Sequence, residues 1–164
     1  MTQNHGINII RAQPNMAPML SEVAIAAKSY WRYPAHWIEQ WRTQLTIKPE
    51  YVRDNDVYAT VNQAEQIVGW YAVAGTGAFL VLDNLWVRPD HIGTGVGRML
   101  LEHAVAHAAA RGADTLELEA DPHAAGFYER MGMQCVGAKA AAMDGLERCL
   151  PIFVMKLQHK EHDS

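Results

Sequence analysis

Cysteine is scarce in this chain. Cys135 and Cys149 are its only two, and neither belongs to a CxxC pair. Two isolated thiols cannot build a disulfide framework, so free thiols in a reducing compartment are expected. Positive charge is also short: 14 Lys and Arg stand against 18 Asp and Glu, a net charge of -4. Nucleic-acid binding draws on clustered cations that displace counterions from phosphate, and this balance argues against such a surface. No apolar run reaches the roughly 18 to 20 residues that cross a bilayer. The N-terminal stretch also lacks the uninterrupted apolar core of a signal peptide. The expectation is a cytoplasmic protein with neither nucleic-acid nor membrane partners.

What the chain does have is the balance of a folded globular domain, 49% hydrophobic and 20% charged. At 164 residues it suits one core better than two. A single domain over residues 1–164 is expected, its core running over about 7–158 and its polar end, His159 to Ser164, frayed.

Periodicity divides the chain. Ile7 to Ala12 reads as a strand. Asn15 then offers an N-cap to a helix whose apolar stripe is Met16, Met19, Leu20, Val23 and Ala27. Pro34 reads as a first-turn proline ahead of Trp37, Ile38, Trp41 and Leu45, and Pro49 opens a short helical turn. The period then changes. Val57 to Asn62, Ile67 to Ala74 and Ala78 to Val87 are rich in β-branched and aromatic residues and are joined by short polar or glycine turns, the pattern of an antiparallel meander. A helix over Arg98 to Arg111 ends at Gly112, and a strand spans Thr115 to Ala120. A short helix, Ala124 to Met131, precedes strands at Met133 to Val136 and Ile152 to Leu157.

Between meander and helix lies His91-Ile92-Gly93-Thr94-Gly95-Val96-Gly97-Arg98. Glycines at alternate positions let an anion approach the main chain, and the following helix adds its unpaired first-turn amides, so a pyrophosphate is the natural ligand. A Rossmann fingerprint fails because Arg98 stands where its last glycine belongs, and a P-loop fails because the loop holds no lysine.

The run Leu85-Trp86-Val87-Arg88-Pro89-Asp90 through Leu101 instead resembles the acyl-CoA-binding motif of the GNAT N-acetyltransferases, a strand and proline turn followed by (Arg/Gln)-x-x-Gly-x-(Gly/Ala). The motif's glycines fall on Gly95 and Gly97, and Ile92 replaces its Arg or Gln. A second stretch, Leu116 to Met133, resembles the family signature Asn-x-x-Ala-x-x-Phe-Tyr with a Gly-aromatic ending. Here His123 is read in the Asn place, and Met133 replaces the aromatic residue.

The resemblance implies an α/β (α+β) fold: one mixed, mostly antiparallel sheet of about six to seven strands, its fourth and fifth splayed, flanked by about four helices. It implies acetyl-CoA as cosubstrate, without a metal. The main chain of Leu85, Trp86 and Val87 would pair with pantetheine like an added strand. Gly93, Thr94, Gly95, Val96, Gly97 and Arg98 would grip the diphosphate, with His123 and Phe127 also on the coenzyme. Ile92 removes a side-chain donor, so weaker coenzyme affinity is expected.

Acyl transfer from a thioester to an amine needs a neutral nitrogen, a stabilised oxyanion and a proton for the departing thiolate. Tyr128 occupies the family's general-acid position. Asp83 and Glu119, late in their strands, are candidate bases, directly or through water, although some family members need no dedicated base. A backbone amide near Trp86 or Val87 would serve the oxyanion. The implied reaction is direct transfer of the acetyl group to a primary amine of a small molecule or peptide in a ternary complex, in an enzyme that pairs as a homodimer. Two alternatives remain open at this level: a non-catalytic acyl-CoA sensor and a protein lysine acetyltransferase.

Two further features are weighed. His103 and His107 lie one helical turn apart but lack an HExxH context, and read as a solvated helix face. Tyr30, Trp31, Tyr33, Trp37 and Trp41 form a dense aromatic patch, read as helix packing with a pocket for a flat or cationic amine as the alternative.

Overall fold

The computed structural model describes residues 6–158; the polar end expected to fray lies outside them. Seven strands are formed: β1 (Asn8–Arg11), β2 (Asp56–Val61), β3 (Ile67–Ala74), β4 (Phe79–Val87), β5 (Thr115–Glu119), β6 (Gln134–Ala140) and β7 (Cys149–Lys156). The helices are α1 (Ala17–Tyr30), α2 (Ala35–Leu45), α3 (Pro49–Asp54), α4 (Val96–Ala110) and α5 (Ala125–Arg130), with three 3-10 turns between elements. The strands follow the order β1-β2-β3-β4-β5-β7-β6. Pairing is antiparallel for β1 with β2, β2 with β3, β5 with β7 and β6 with β7, and parallel for β4 with β5. This is the mixed α/β fold the resemblance implies. Among the described residues no helix is long and apolar enough to cross a membrane.

The chain divides into two compact units. The first runs to Val73 and resumes over Asn84–His103; the second takes Ala74–Asp83 and the described chain from Ala104 onward. In the first, Leu20, Val23 and Ala24 of α1 are buried with Val57, Ala59 and Trp70 of β2 and β3, and the Trp70 indole N–H donates to the Leu20 carbonyl at 2.9 Å. In the second, Leu80, Leu116, Leu118 and Phe153 are buried.

Several local expectations are corrected. Asn15 does not cap α1: it lies inside the 3-10 turn Pro14–Met16, and Met16 is the capping residue. Pro14 fixes the turn early, and Met19, expected on the buried stripe, is 45% exposed. Pro34 precedes α2 as its cap, its carbonyl accepting from the Trp37 amide at 2.9 Å. β6 extends to Ala140, beyond the Val136 expected: Gly137, Ala138, Lys139 and Ala140 pair with β7 across a register break, although small residues suggest a connection. Cys135 and Cys149 are free and exposed.

One glycine has a tight steric reason. A Cβ at Gly69 would lie 2.9 Å from both the Leu100 Cδ1 and the Trp86 carbonyl oxygen, and 3.2 Å from Thr60 Oγ1. Backbone cannot yield as a flexible side chain does, so Gly69→Ala is expected to destabilise the protein by about 1–3 kcal/mol. Urea denaturation with an unchanged midpoint would refute this.

Candidate active site

The first part of the site is a fork between parallel strands. β4 and β5 pair at Phe79 with Thr115, Leu80 with Leu116 and Val81 with Glu117, and there the ladder ends although β4 continues to Val87. Beyond the fork, Val81, Leu82, Asp83, Glu117, Leu118 and Glu119 line a cleft of about 240 Å³. Strand alternation turns Leu82 and Leu118 inward, at 5% and 2% exposure, and puts Asp83, Glu117 and Glu119 on the open face. Both candidate bases therefore line one cleft, with Glu117 as a third carboxylate that sequence reading missed. Glu119 is 3.5 Å from the Lys139 ammonium of β6, an exposed pair worth little energetically.

Tyr128 lies on α5, 6% exposed, its ring edge-on to Phe127 (centroids 5.1 Å apart) and tilted against Phe153 (5.7 Å). Among the described residues its hydroxyl makes no hydrogen bond. Burial pushes the phenol well above its ordinary range, and the negative charge of Asp121 adds to the rise. Buried polar groups normally find partners, and a lone protonated phenol suits a proton donor to a ligand.

Asp121 was not singled out from the sequence. It caps the 3-10 turn Pro122–Ala124, accepting from the His123 amide at 2.9 Å and from His123 Nδ1 at 3.0 Å. Its other oxygen accepts from Arg148 Nη2 at 3.3 Å; both side chains are 11% exposed. Counted back from Phe127-Tyr128 through Ala124, the signature's Asn falls on Asp121, not on His123. The correction has a physical basis, since Asn and Asp share the ability to cap a turn through a side-chain oxygen.

The glycine loop belongs to the first unit. After the 3-10 turn Pro89–His91, Ile92 is extended and Gly93 and Gly95 take φ of 82° and 92°, which side-chain-bearing residues rarely adopt. A Cβ at Gly93 would meet nothing within 4 Å, so the main chain is open to approach. Thr94 is tied to the His91 carbonyl through its amide at 3.3 Å and also through its hydroxyl. α4 begins at Val96, earlier than the Arg98 expected. Val96, Gly97 and Arg98 thus supply first-turn amides, which have no carbonyl partner within the helix. The Arg98 side chain is engaged by Glu102 at 2.8 Å, leaving its amide as the contribution to an anion. The donor set fits a diphosphate.

At the end of β4, Leu85, Trp86 and Val87 are half-buried. The Trp86 indole donates to Asn84 Oδ1 at 2.8 Å, and Asn84 Nδ2 donates to the Tyr51 hydroxyl of α3 at 2.8 Å. This chain, which anchors the strand end, had no signal in the sequence.

Two side features resolve. His103 is not a solvated position: its Nδ1 lies 2.7 Å from the Tyr71 hydroxyl and its ring 4.8 Å from that of Tyr58. Burial keeps the Tyr71 phenol protonated, so it donates to the imidazole. In the aromatic patch, Tyr33, Trp37 and Trp41 pack together with centroids 5.0 to 5.9 Å apart, and Lys28 Nζ sits 4.3 Å from the Trp41 ring centroid and 5.1 Å from that of Tyr33. The cation on these rings is the protein's own.

The model of the acetyltransferase (GNAT) family matches residues 22–133. The peptidyl-lysine N-acetyltransferase YjaB of Escherichia coli (strain K12) is 30% identical over 114 residues, 69% of this chain and 72% of that protein. The streptothricin acetyltransferase of Streptomyces lavendulae is 32% identical over 97 residues, 56% of this chain and 51% of that protein. Among solved structures, the PaiA N-acetyltransferase of Thermoplasma acidophilum in complex with coenzyme A superimposes with a TM-score of 0.73 at 18% identity, covering 92% of this chain and 98% of that one.

Proposed function

The chain belongs to the GNAT acetyltransferase family, and from that premise we propose that it moves the acetyl group of acetyl-CoA to a primary amine of a cationic small molecule or a peptide, by direct attack in a ternary complex. The observation that carries this reading is the fork where the β4–β5 ladder stops at Val81 and Glu117, with its carboxylate-lined cleft. Main-chain groups of β4 left without a β5 partner suit pantetheine as an added strand. Asp83, Glu117 and Glu119 favour an acceptor that arrives as an ammonium ion.

In this reading the amides of Gly93 and of Gly95 to Arg98 hold the diphosphate, the Thr94 amide being spent on the His91 carbonyl, and the main chain of Leu85, Trp86 and Val87 holds the pantetheine arm and supplies an amide to the oxyanion. Phe127 packs beside the thioester. Tyr128 gives its proton to sulfur as the C–S bond breaks, and the buried, unbonded hydroxyl supports that role. Asp83 and Glu119 receive and orient the acceptor. The relatives named for peptidyl-lysine and for streptothricin support amine acceptors of both kinds, and names as acetyltransferases disfavour a non-catalytic sensor. A single catalytic domain that pairs as a homodimer completes the proposal.

The test is thiol release from acetyl-CoA across a panel of a lysine peptide, streptothricin and spermine. Amine-dependent release is expected, and coenzyme binding without release by any amine would refute the enzymatic reading. Ile92, 43% exposed, stands where the family places Arg or Gln. Ile92→Arg is therefore expected to lower the acetyl-CoA Kd about 3- to 10-fold, roughly 1 kcal/mol, with kcat unchanged; calorimetric titration checks it.

A further inference from the structure

The acetyl-transfer reading, on which this inference rests, leaves the base of one step unassigned. An alkyl ammonium with a pKa near 10 must lose a proton before it can attack. An imidazole is the side chain most often used to take a proton at neutral pH. Glu119 is moreover paired with Lys139.

We propose that His123, held by Asp121, is the base that deprotonates the acceptor amine. The turn Pro122–Ala124 begins three residues after Glu119, which ends β5 and lines the cleft. Asp121 engages His123 twice, at the amide and at Nδ1. A carboxylate at Nδ1 fixes the tautomer with the proton there, which makes Nε2 the basic nitrogen. Asp121 is itself held by Arg148 and is nearly buried, so the couple is preorganised, while the His123 side chain remains 44% exposed. This is the carboxylate–imidazole logic that orients a general base in hydrolases, built here from a capping residue and the residue two positions on.

The step balances. His123 Nε2 takes one proton from the ammonium. The freed lone pair forms the C–N bond, the C–S bond breaks, and the sulfur takes the Tyr128 proton. The remaining extra N–H proton leaves through water and restores Tyr128, so one proton is released per turnover. The titratable and charged groups on elements packed against the turn are Tyr128, Glu129 and Arg130 of α5 and Cys149 and Lys156 of β7, with Arg148 just before β7.

The experiment compares wild type with His123→Gln, using acetyl-CoA and whichever panel amine turns over best. The expected result is a kcat about 100-fold lower in the variant at pH 7, with an unchanged acetyl-CoA Kd and melting temperature. The acidic limb of the wild-type kcat/KM profile should be replaced in the variant by one that rises toward the pKa of the amine. An unchanged kcat and limb, or a loss confined to acetyl-CoA affinity, would overturn the proposal and make His123 a coenzyme contact. Wild-type protein that releases no thiol with any amine would overturn the transfer reading itself, a result distinct from an active wild type with an equally active variant.

Discussion

Tyr128→Phe is expected to lower kcat about 100- to 1,000-fold, the range of a lost general acid, and to leave the acetyl-CoA Kd and the fold intact. The side chain is 6% exposed, and its hydroxyl bonds to no described residue. Removing the oxygen breaks no internal hydrogen bond and relieves a buried polar group, so the melting temperature should hold or rise. Steady-state thiol release and calorimetry separate the two effects; full kcat in the variant would return Tyr128 to a packing role. pH gives a second readout. The folded-state pKa is raised by burial and by Asp121 above the ~10 of an unfolded tyrosine. The associated stability is thus complete below about pH 10 and is lost as pH climbs further. Tyr71, raised by burial in the same direction, adds to that alkaline decline, and Tyr128→Phe should make it shallower.

Gly97→Asp is expected to weaken acetyl-CoA binding by at least about 100-fold without unfolding the protein. Gly97 lies in the first turn of α4, among the amides that would hold the diphosphate. A carboxylate there competes for those amides and repels the phosphates, at a cost of several kcal/mol. The same carboxylate suits the positive end of the helix, and aspartate replaces a poor helix former, so α4 itself gains. Loss of coenzyme affinity together with an unchanged or higher melting temperature is the signature; retained affinity would place the diphosphate elsewhere.

Much of the fold was legible because apolar periodicity reports burial directly. The alternation in Thr115 to Glu119 and the continuous apolar run of Ile67 to Ala74 each mark their strand to within a residue. The misses have particular causes. Gly137 and the small residues after it form an exposed strand with no apolar alternation to betray it. Asn15 has cap chemistry, but Pro14 starts a tighter turn first.

At the site, the glycine spacing and Phe127-Tyr128 were visible because they answer to backbone geometry and a motif. Glu117, Asp121 and Arg148 were not, because their roles arise from tertiary neighbours: Arg148 reaches Asp121 across 27 residues of chain. His103 likewise looks solvated until Tyr71, 32 residues away, closes over it.

The central claim is that main-chain donors between Gly93 and Arg98 hold the diphosphate of acetyl-CoA. Titration calorimetry on folded protein tests it most directly, with acetyl-CoA compared against S-acetylpantetheine, which carries the same thioester and arm but neither diphosphate nor adenosine, and against S-acetyl-4′-phosphopantetheine, which restores one phosphate alone and should recover part of the affinity. The account predicts saturable one-to-one binding of acetyl-CoA and binding of S-acetylpantetheine at least about 100-fold weaker. No heat with acetyl-CoA, or equal affinity for acetyl-CoA and S-acetylpantetheine, would contradict it.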